Sequence, residues 1–136
     1  MDASVAIAWC FPDEASDYAD RVLVALAGHT VIVPAVWALE VANALLVGER
    51  RKRLKSPEIL RFAALLEELS MMQESQAVSE IINGVLPLAR DCHLSAYDAA
   101  YLELALRQNA PLATLDVSLR KAAKRLGVPF FPDSSG

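Results

Sequence analysis

No cysteine pair, histidine cluster or glycine-rich loop marks these 136 residues, and each absence removes a class of chemistry. Cys10 and Cys92 form no C-x-x-C motif, and His29 and His93 fall in no zinc-ligand spacing, so zinc and redox sites lack support. The two thiols read as buried free cysteines, with a reducing cytoplasm as their natural compartment. Without a G-x-S-x-G elbow, a P-loop or a G-x-G-x-x-G fingerprint, the serine hydrolase, P-loop NTPase and dinucleotide-binding readings all lose their signatures. No apolar run is long enough to span a bilayer. The short apolar stretch ending at Phe11 has no basic region ahead of it and acids soon after, which argues against a signal peptide.

Positive charge is also in short supply. Thirteen Lys and Arg face seventeen Asp and Glu, a net charge of −4, so nucleic-acid binding by bulk electrostatics is not expected. The distribution qualifies this, because Arg50, Arg51, Lys52, Arg53 and Lys55 are packed together. Such a cluster can position RNA phosphates or simply complement a helix dipole. An apolar fraction of 54% excludes general disorder, and the length suits a single domain over residues 1–136.

Periodicity and punctuation predict helices at 4–11, 15–27, 35–53, 57–71, 79–92, 95–109 and 117–126. Strands are predicted at 30–33, 112–115 and 128–131. Short apolar strands alternating with helices read as an α/β protein, a parallel sheet covered on both faces.

Against this apolar background stand the carboxylates of Asp2, Glu40, Asp98 and Asp116, which have no basic partner close by in sequence. A carboxylate leaving water costs several kcal/mol unless something positive meets it, so the set points to a hard divalent cation and to phosphodiester chemistry. Glu40 sits within Val36-Trp37-Ala38-Leu39-Glu40-Val41-Ala42-Asn43-Ala44, where no residue three or four positions away can form an ion pair. Asp98 faces away from Glu103 and Arg107 on its helix, although Ser95-x-x-Asp98 also resembles a capping box. Asp116 stands between a strand and a helix, where it serves equally as an N-cap or as a ligand at the carboxyl end of a strand. Asp2, shortly ahead of the first helix, reads equally as a plain cap or a frayed terminus.

Taken together, Asp2-Ala3-Ser4, Pro34-Ala35-Val36-Trp37-Ala38-Leu39-Glu40-Val41-Ala42-Asn43-Ala44-Leu45, Ser95-Ala96-Tyr97-Asp98-Ala99-Ala100-Tyr101-Leu102 and Leu112-Ala113-Thr114-Leu115-Asp116 resemble, in this order, the PIN domain family, especially its VapC-type toxins. The resemblance runs nearly end to end. It implies a three-layer α/β/α PIN-like domain with a short parallel central sheet, and an endoribonuclease site in which Asp2, Glu40, Asp98 and Asp116 are catalytic and hold Mg2+ or Mn2+. Asp2 and Asp98 would be direct ligands, Glu40 and Asp116 would act through water, and Ser4, Asn43 and Thr114 would orient the carboxylates from behind. An RNA substrate, a cognate antitoxin, a homodimer and a cytoplasmic location follow from the same resemblance, with no membrane partner. A PIN-family RNA-processing nuclease without an antitoxin, a noncatalytic PIN-like scaffold and a non-nuclease metal phosphohydrolase are the competing classes.

Two departures from the family pattern stand out. Members usually carry several apolar residues before the first Asp, forming the central strand, and here only Met1 precedes it. Either the true start lies upstream or that strand is stunted. Some relatives also place a further acid or amide just after the fourth acid, where this chain has Val117, Ser118 and Leu119, which implies a weaker second metal site. The run Leu60–Met72, richer in apolar residues than one buried stripe requires, reads first as core packing for most of its length and second as a candidate antitoxin surface, with Phe62 and Leu65 as its test positions.

Overall fold

Thr30-Val31-Ile32-Val33-Pro34 alternates its β-branched residues across a strand, and it forms β1 (Thr30–Pro34) with Val31 and Val33 turned into the core. The computed structural model, which describes residues 1–14 and 16–133, pairs β1 with β2 (Ser70–Glu74). They run parallel, in register from Thr30 opposite Ser70 to Pro34 opposite Glu74. A parallel pair needs a long crossover, supplied here by α3 (Val36–Arg50) and α4 (Ser56–Glu68). Ahead of β1 lie α1 (Ala3–Cys10), a 3-10 turn (Pro12–Glu14) and α2 (Asp17–Ala25). After β2 come α5 (Val78–Glu80), a π-helical turn (Ile81–Val85), α6 (Leu86–Cys92), α7 (Ala96–Gln108) and α8 (Val117–Arg125). The start of the expected second helix at Ala15 and residues 134–136 lie outside the described residues.

Three expectations need correction, each for an identifiable reason. The helix expected to reach residue 71 ends at Glu68, and Ser70–Glu74 is a strand. Met71, Met72, Gln73 and Glu74 belong to residue types that favour helix, but pairing with β1 overrides that weak preference. The strands expected at 112–115 and 128–131 reduce to one isolated parallel bridge, Leu112 to Phe130. Beyond that bridge the backbone donors turn to side chains: Leu115 N–H to the Ser4 hydroxyl at 2.9 Å and Asp116 N–H to the Thr114 hydroxyl at 3.0 Å. A segment whose N–H groups are so engaged cannot extend a ladder. The helix expected at 79–92 is interrupted because Pro87 has no N–H and its ring crowds the preceding turn. Leu86 N–H bonds instead to the Ile81 carbonyl, five residues back.

Ahead of α1, Asp2 N–H donates to the Ala113 carbonyl at 3.0 Å. Beside Met1, between β1 and residues 110–113, lies an apolar cavity of about 350 Å³ whose walls include Val31, Ile32, Tyr101, Leu104 and Leu112. Apolar on nearly every side, α1 buries Ala3, Val5, Ala6 and Ala8 and contacts α2, α3 and α4. Gly48 of α3 admits Phe11, at the end of α1, to within 2.6 Å of where a Cβ would stand. This close approach fixes α1, and Asp2 at its start, against the helix that carries Glu40. Cys10 and Cys92 are both free and half-buried, rather than buried as expected.

Candidate active site

Helix ends and one helix face deliver the four acids. Asp2 is the N-cap of α1 and only 4% exposed. Its Oδ1 accepts the Ser4 N–H at 3.2 Å and the Ser4 hydroxyl at 2.5 Å, while its Oδ2 accepts the Thr114 hydroxyl at 2.7 Å. Asp116 is the N-cap of α8, accepting Leu119 N–H at 2.8 Å. Asp98 lies in the first turn of α7, where the Ser95 hydroxyl accepts its N–H at 3.1 Å, the forward half of a capping box. The capping readings of Asp2 and Asp116 therefore hold, and each carboxylate keeps lone pairs for a further contact. Glu40, in mid α3, accepts a hydrogen bond from the Tyr101 phenol at 2.5 Å.

These groups are close enough to feel one another. Burial raises the Glu40 carboxyl above its ordinary value, and the charges of Asp98 and Asp2 raise it further against the Tyr101 hydrogen bond. Asp98 is raised by burial and then by Asp116, and Asp2 by burial against its bonds to Ser4 and Thr114. Asp2, Glu40, Asp98 and Asp116 thus form one electrostatic cluster, and among the described residues none of them has a salt bridge. Among the described residues no group of three or more His, Cys, Asp or Glu side chains is placed to hold a metal ion. The four side chains are nonetheless all oxygen donors, the kind that Mg2+ and Mn2+ accept.

Of the residues expected to orient the acids, Ser4 and Thr114 both grip Asp2, whereas Asn43 is exposed and makes no side-chain hydrogen bond among the described residues. Two contributors escaped the sequence. Tyr101 follows Asp98 by three positions, so it shares a helix face with it, but a buried aromatic at that spacing reads as core. Arg120 braces the Thr114 loop from behind, donating to the Thr114 carbonyl at 2.9 Å with its guanidinium 4.1 Å from the Phe130 ring centre and 5.1 Å from that of Tyr18.

The raised acids make stability depend on pH with a definite sign. Their native values lie above the ordinary 3.8 of Asp and 4.5 of Glu, so the native state holds these protons more tightly than the unfolded chain. That stabilisation is complete below the ordinary values and is lost as pH rises through the raised ones. Asp13 and Glu74, held low by Arg53 and Arg107, act in the opposite sense, but both are surface pairs with little effect. The metal-free protein is therefore expected to melt lower as pH rises from about 4 toward 7, with Mn2+ restoring the midpoint more at the higher pH. Melts with Mn2+ and with chelator across that range check this; a gap that does not widen with pH would count against a shared cation site.

A mostly helical α/β domain with a short parallel sheet, and mutually repelling acids at its helix ends and on one helix face, defines the class of fold and site. The PIN domain family model matches residues 1–125, and the chain belongs to that family. It is 32% identical over 130 residues to Ribonuclease VapC3 of Pyrobaculum aerophilum, covering 95% of this chain and 97% of that protein. The fold is also similar to the crystal structure of PAE2754 from the same organism, with a TM-score of 0.65 and 21% identity over 89% of this chain and 76% of that one.

Proposed function

We propose that this protein is a Mg2+- or Mn2+-dependent endoribonuclease and the toxin of a VapBC-type pair. The observation that carries this reading is the electrostatic cluster of Asp2, Glu40, Asp98 and Asp116, set on a PIN domain similar to a protein named as a ribonuclease. Asp2 and Asp98 would hold the cation directly, with Glu40 and Asp116 acting through its waters. The chemistry supplied by a bound divalent ion is charge neutralisation at the phosphate and a lowered pKa for the attacking water. Ser4 and Thr114 fix the orientation of Asp2, and Tyr101 fixes that of Glu40.

Arg50, Arg51, Lys52 and Lys55 are exposed and available to RNA phosphates, whereas Arg53 is taken by Asp13 at 2.7 Å and by the Phe11 ring at 4.4 Å. No described helix is long and apolar enough to cross a membrane. A cytoplasmic site of action accords with the RNA substrate and the free thiols. A cognate antitoxin is the inhibitory partner. Its candidate surface is reduced at Phe62, which is core at 5% exposure, but retains Leu60 at 70% and a shallow cleft lined by Trp9, Arg61 and Leu65. Val78, Ile81, Ile82 and Leu86 expose an apolar helical row that suits a homodimer interface.

Cleavage of total cellular RNA by the purified protein, with Mg2+, Mn2+ or chelator, tests the reading. Discrete cuts that need the metal are expected. Folded protein that leaves every RNA intact in either metal would favour a binding scaffold.

A further inference from the structure

Thr114 has no exposed surface, and it serves two of the acids at once. Its hydroxyl donates to Asp2 Oδ2 at 2.7 Å and accepts Asp116 N–H at 3.0 Å, so one oxygen joins the cap of α1 to the cap of α8. The carbonyl of the same residue accepts from Arg120 Nη1 at 2.9 Å. Any displacement of residue 114 therefore strains all three contacts together.

Arg120 is committed to that carbonyl. It is the fourth residue of α8, where a cation meets the positive end of the helix dipole, so its charge does not stabilise the helix. Nor does it form a salt bridge with Asp2, Glu40, Asp98 or Asp116. Its guanidinium lies instead against the rings of Phe130 and Tyr18, and Tyr18 is itself fixed by donating its hydroxyl to the Phe131 carbonyl at 2.5 Å. A planar fork held against two rings keeps its donors aimed, and a hydrogen bond from a cation is stronger than one between neutral groups. Burial raises the Tyr18 phenol, the Arg120 guanidinium draws it down and the charge of Asp2 raises it again, so ring, cation and acid are neighbours.

We propose that Arg120 is a positioning residue for RNA cleavage: held by Tyr18 and Phe130, it fixes the Thr114 peptide and, through the Thr114 hydroxyl, the placement of Asp2 relative to Asp116. Among the described residues it has neither a hydrogen bond nor a salt bridge to any of the four acids, so it acts on them through residue 114. The inference rests on the reading of these acids as a nuclease site.

The test compares the parent with Arg120→Met, Arg120→Lys, Thr114→Val and the double variant of Arg120→Met with Thr114→Val. Two quantities are measured: kcat and KM in Mn2+ on an RNA oligonucleotide carrying a site cut in total cellular RNA, and backbone amide exchange in the metal-free protein. Arg120→Met should lower kcat at least about 10-fold with KM unchanged, in line with the effect of outer hydrogen-bond partners on an active site. Arg120→Lys, a donor without the planar fork, should fall between Arg120→Met and the parent. With the Thr114 hydroxyl already removed, Arg120→Met should cost nothing more, because the two residues act as one chain. The Asp116 amide, bonded to that hydroxyl, should exchange faster in Arg120→Met while the amides of α7 keep their parental rates. A structural role alone predicts a lower melting midpoint, faster exchange throughout, and parental kcat wherever the variant is folded. That result would overturn the inference, as would losses that add in the double variant. Should Arg120→Met fold poorly, Arg120→Lys carries the test alone, and parental kcat with parental Asp116 exchange there is equally fatal. A parent protein that cuts no RNA defeats the nuclease reading instead, and the exchange measurement still decides whether Arg120 fixes residue 114.

Discussion

Asp98→Asn is expected to fold as the parent does and to cleave RNA at least about a hundredfold more slowly, a loss of about 2.7 kcal/mol of transition-state stabilisation. If Asp98 holds the cation directly, as proposed, its loss should exceed the 10- to 100-fold effects typical of groups one bond further out. The fold should survive because the helix does not depend on this carboxylate. The α7 cap is Ser95, whose hydroxyl accepts the backbone N–H of residue 98, and an amide side chain leaves that bond in place. Burial and the charge of Asp116 both penalise an ionised Asp98, so removing the charge should leave the metal-free melting midpoint equal or higher. It should also diminish the rise in midpoint that Mn2+ gives the parent. RNA cleavage and paired melts check all three outcomes, and a variant that unfolds would return Asp98 to a purely structural role.

How far this site could be read from the sequence depended on where each partner lies. Glu40 stood out because its own helix offers it no cation, which pointed to a divalent metal ion. The partner seen in the structure is the neutral phenol of Tyr101, which no spacing within α3 could reveal. Asp2, Asp98 and Asp116 were found in family-like motifs, with Asp116 also legible as a helix cap. The link between Asp2 and Thr114 spans 112 positions and emerges only on folding.

The sheet was less legible for a related reason. Leu112-Ala113-Thr114-Leu115 has the composition of a strand, yet its backbone serves Asp2, Ser4 and Arg120 through Ala113 O, Leu115 N–H and Thr114 O. The same polar groups cannot both build a ladder and brace a site. Ser70–Glu74 erred in the opposite direction: its residues favour helix, and it is a strand because β1 presents an edge to it.

Asp2→Asn should behave unlike Asp98→Asn, because the carboxylate at position 2 receives hydrogen bonds at both oxygens. Leu115 N–H already donates to the Ser4 hydroxyl and Asp116 N–H to the Thr114 hydroxyl, so both hydroxyls are free to donate their protons to Asp2. An asparagine has only one accepting oxygen. With its NH2 toward Ser4 it opposes the Ser4 backbone N–H, which can only donate. With the NH2 toward Thr114, the hydroxyl of a residue with no exposed surface must find another acceptor. Either orientation leaves one donor unsatisfied, at a cost of about 1–3 kcal/mol. Asp2→Asn is thus expected to be inactive and also destabilised, with a lower midpoint in urea and faster exchange of the Leu115 and Asp116 amides, whose hydroxyl acceptors are set by Asp2. If the two asparagine variants were equally stable, the Ser4, Thr114 and Asp2 network would be redundant for folding, and the capping of α1 would have to rest on other contacts.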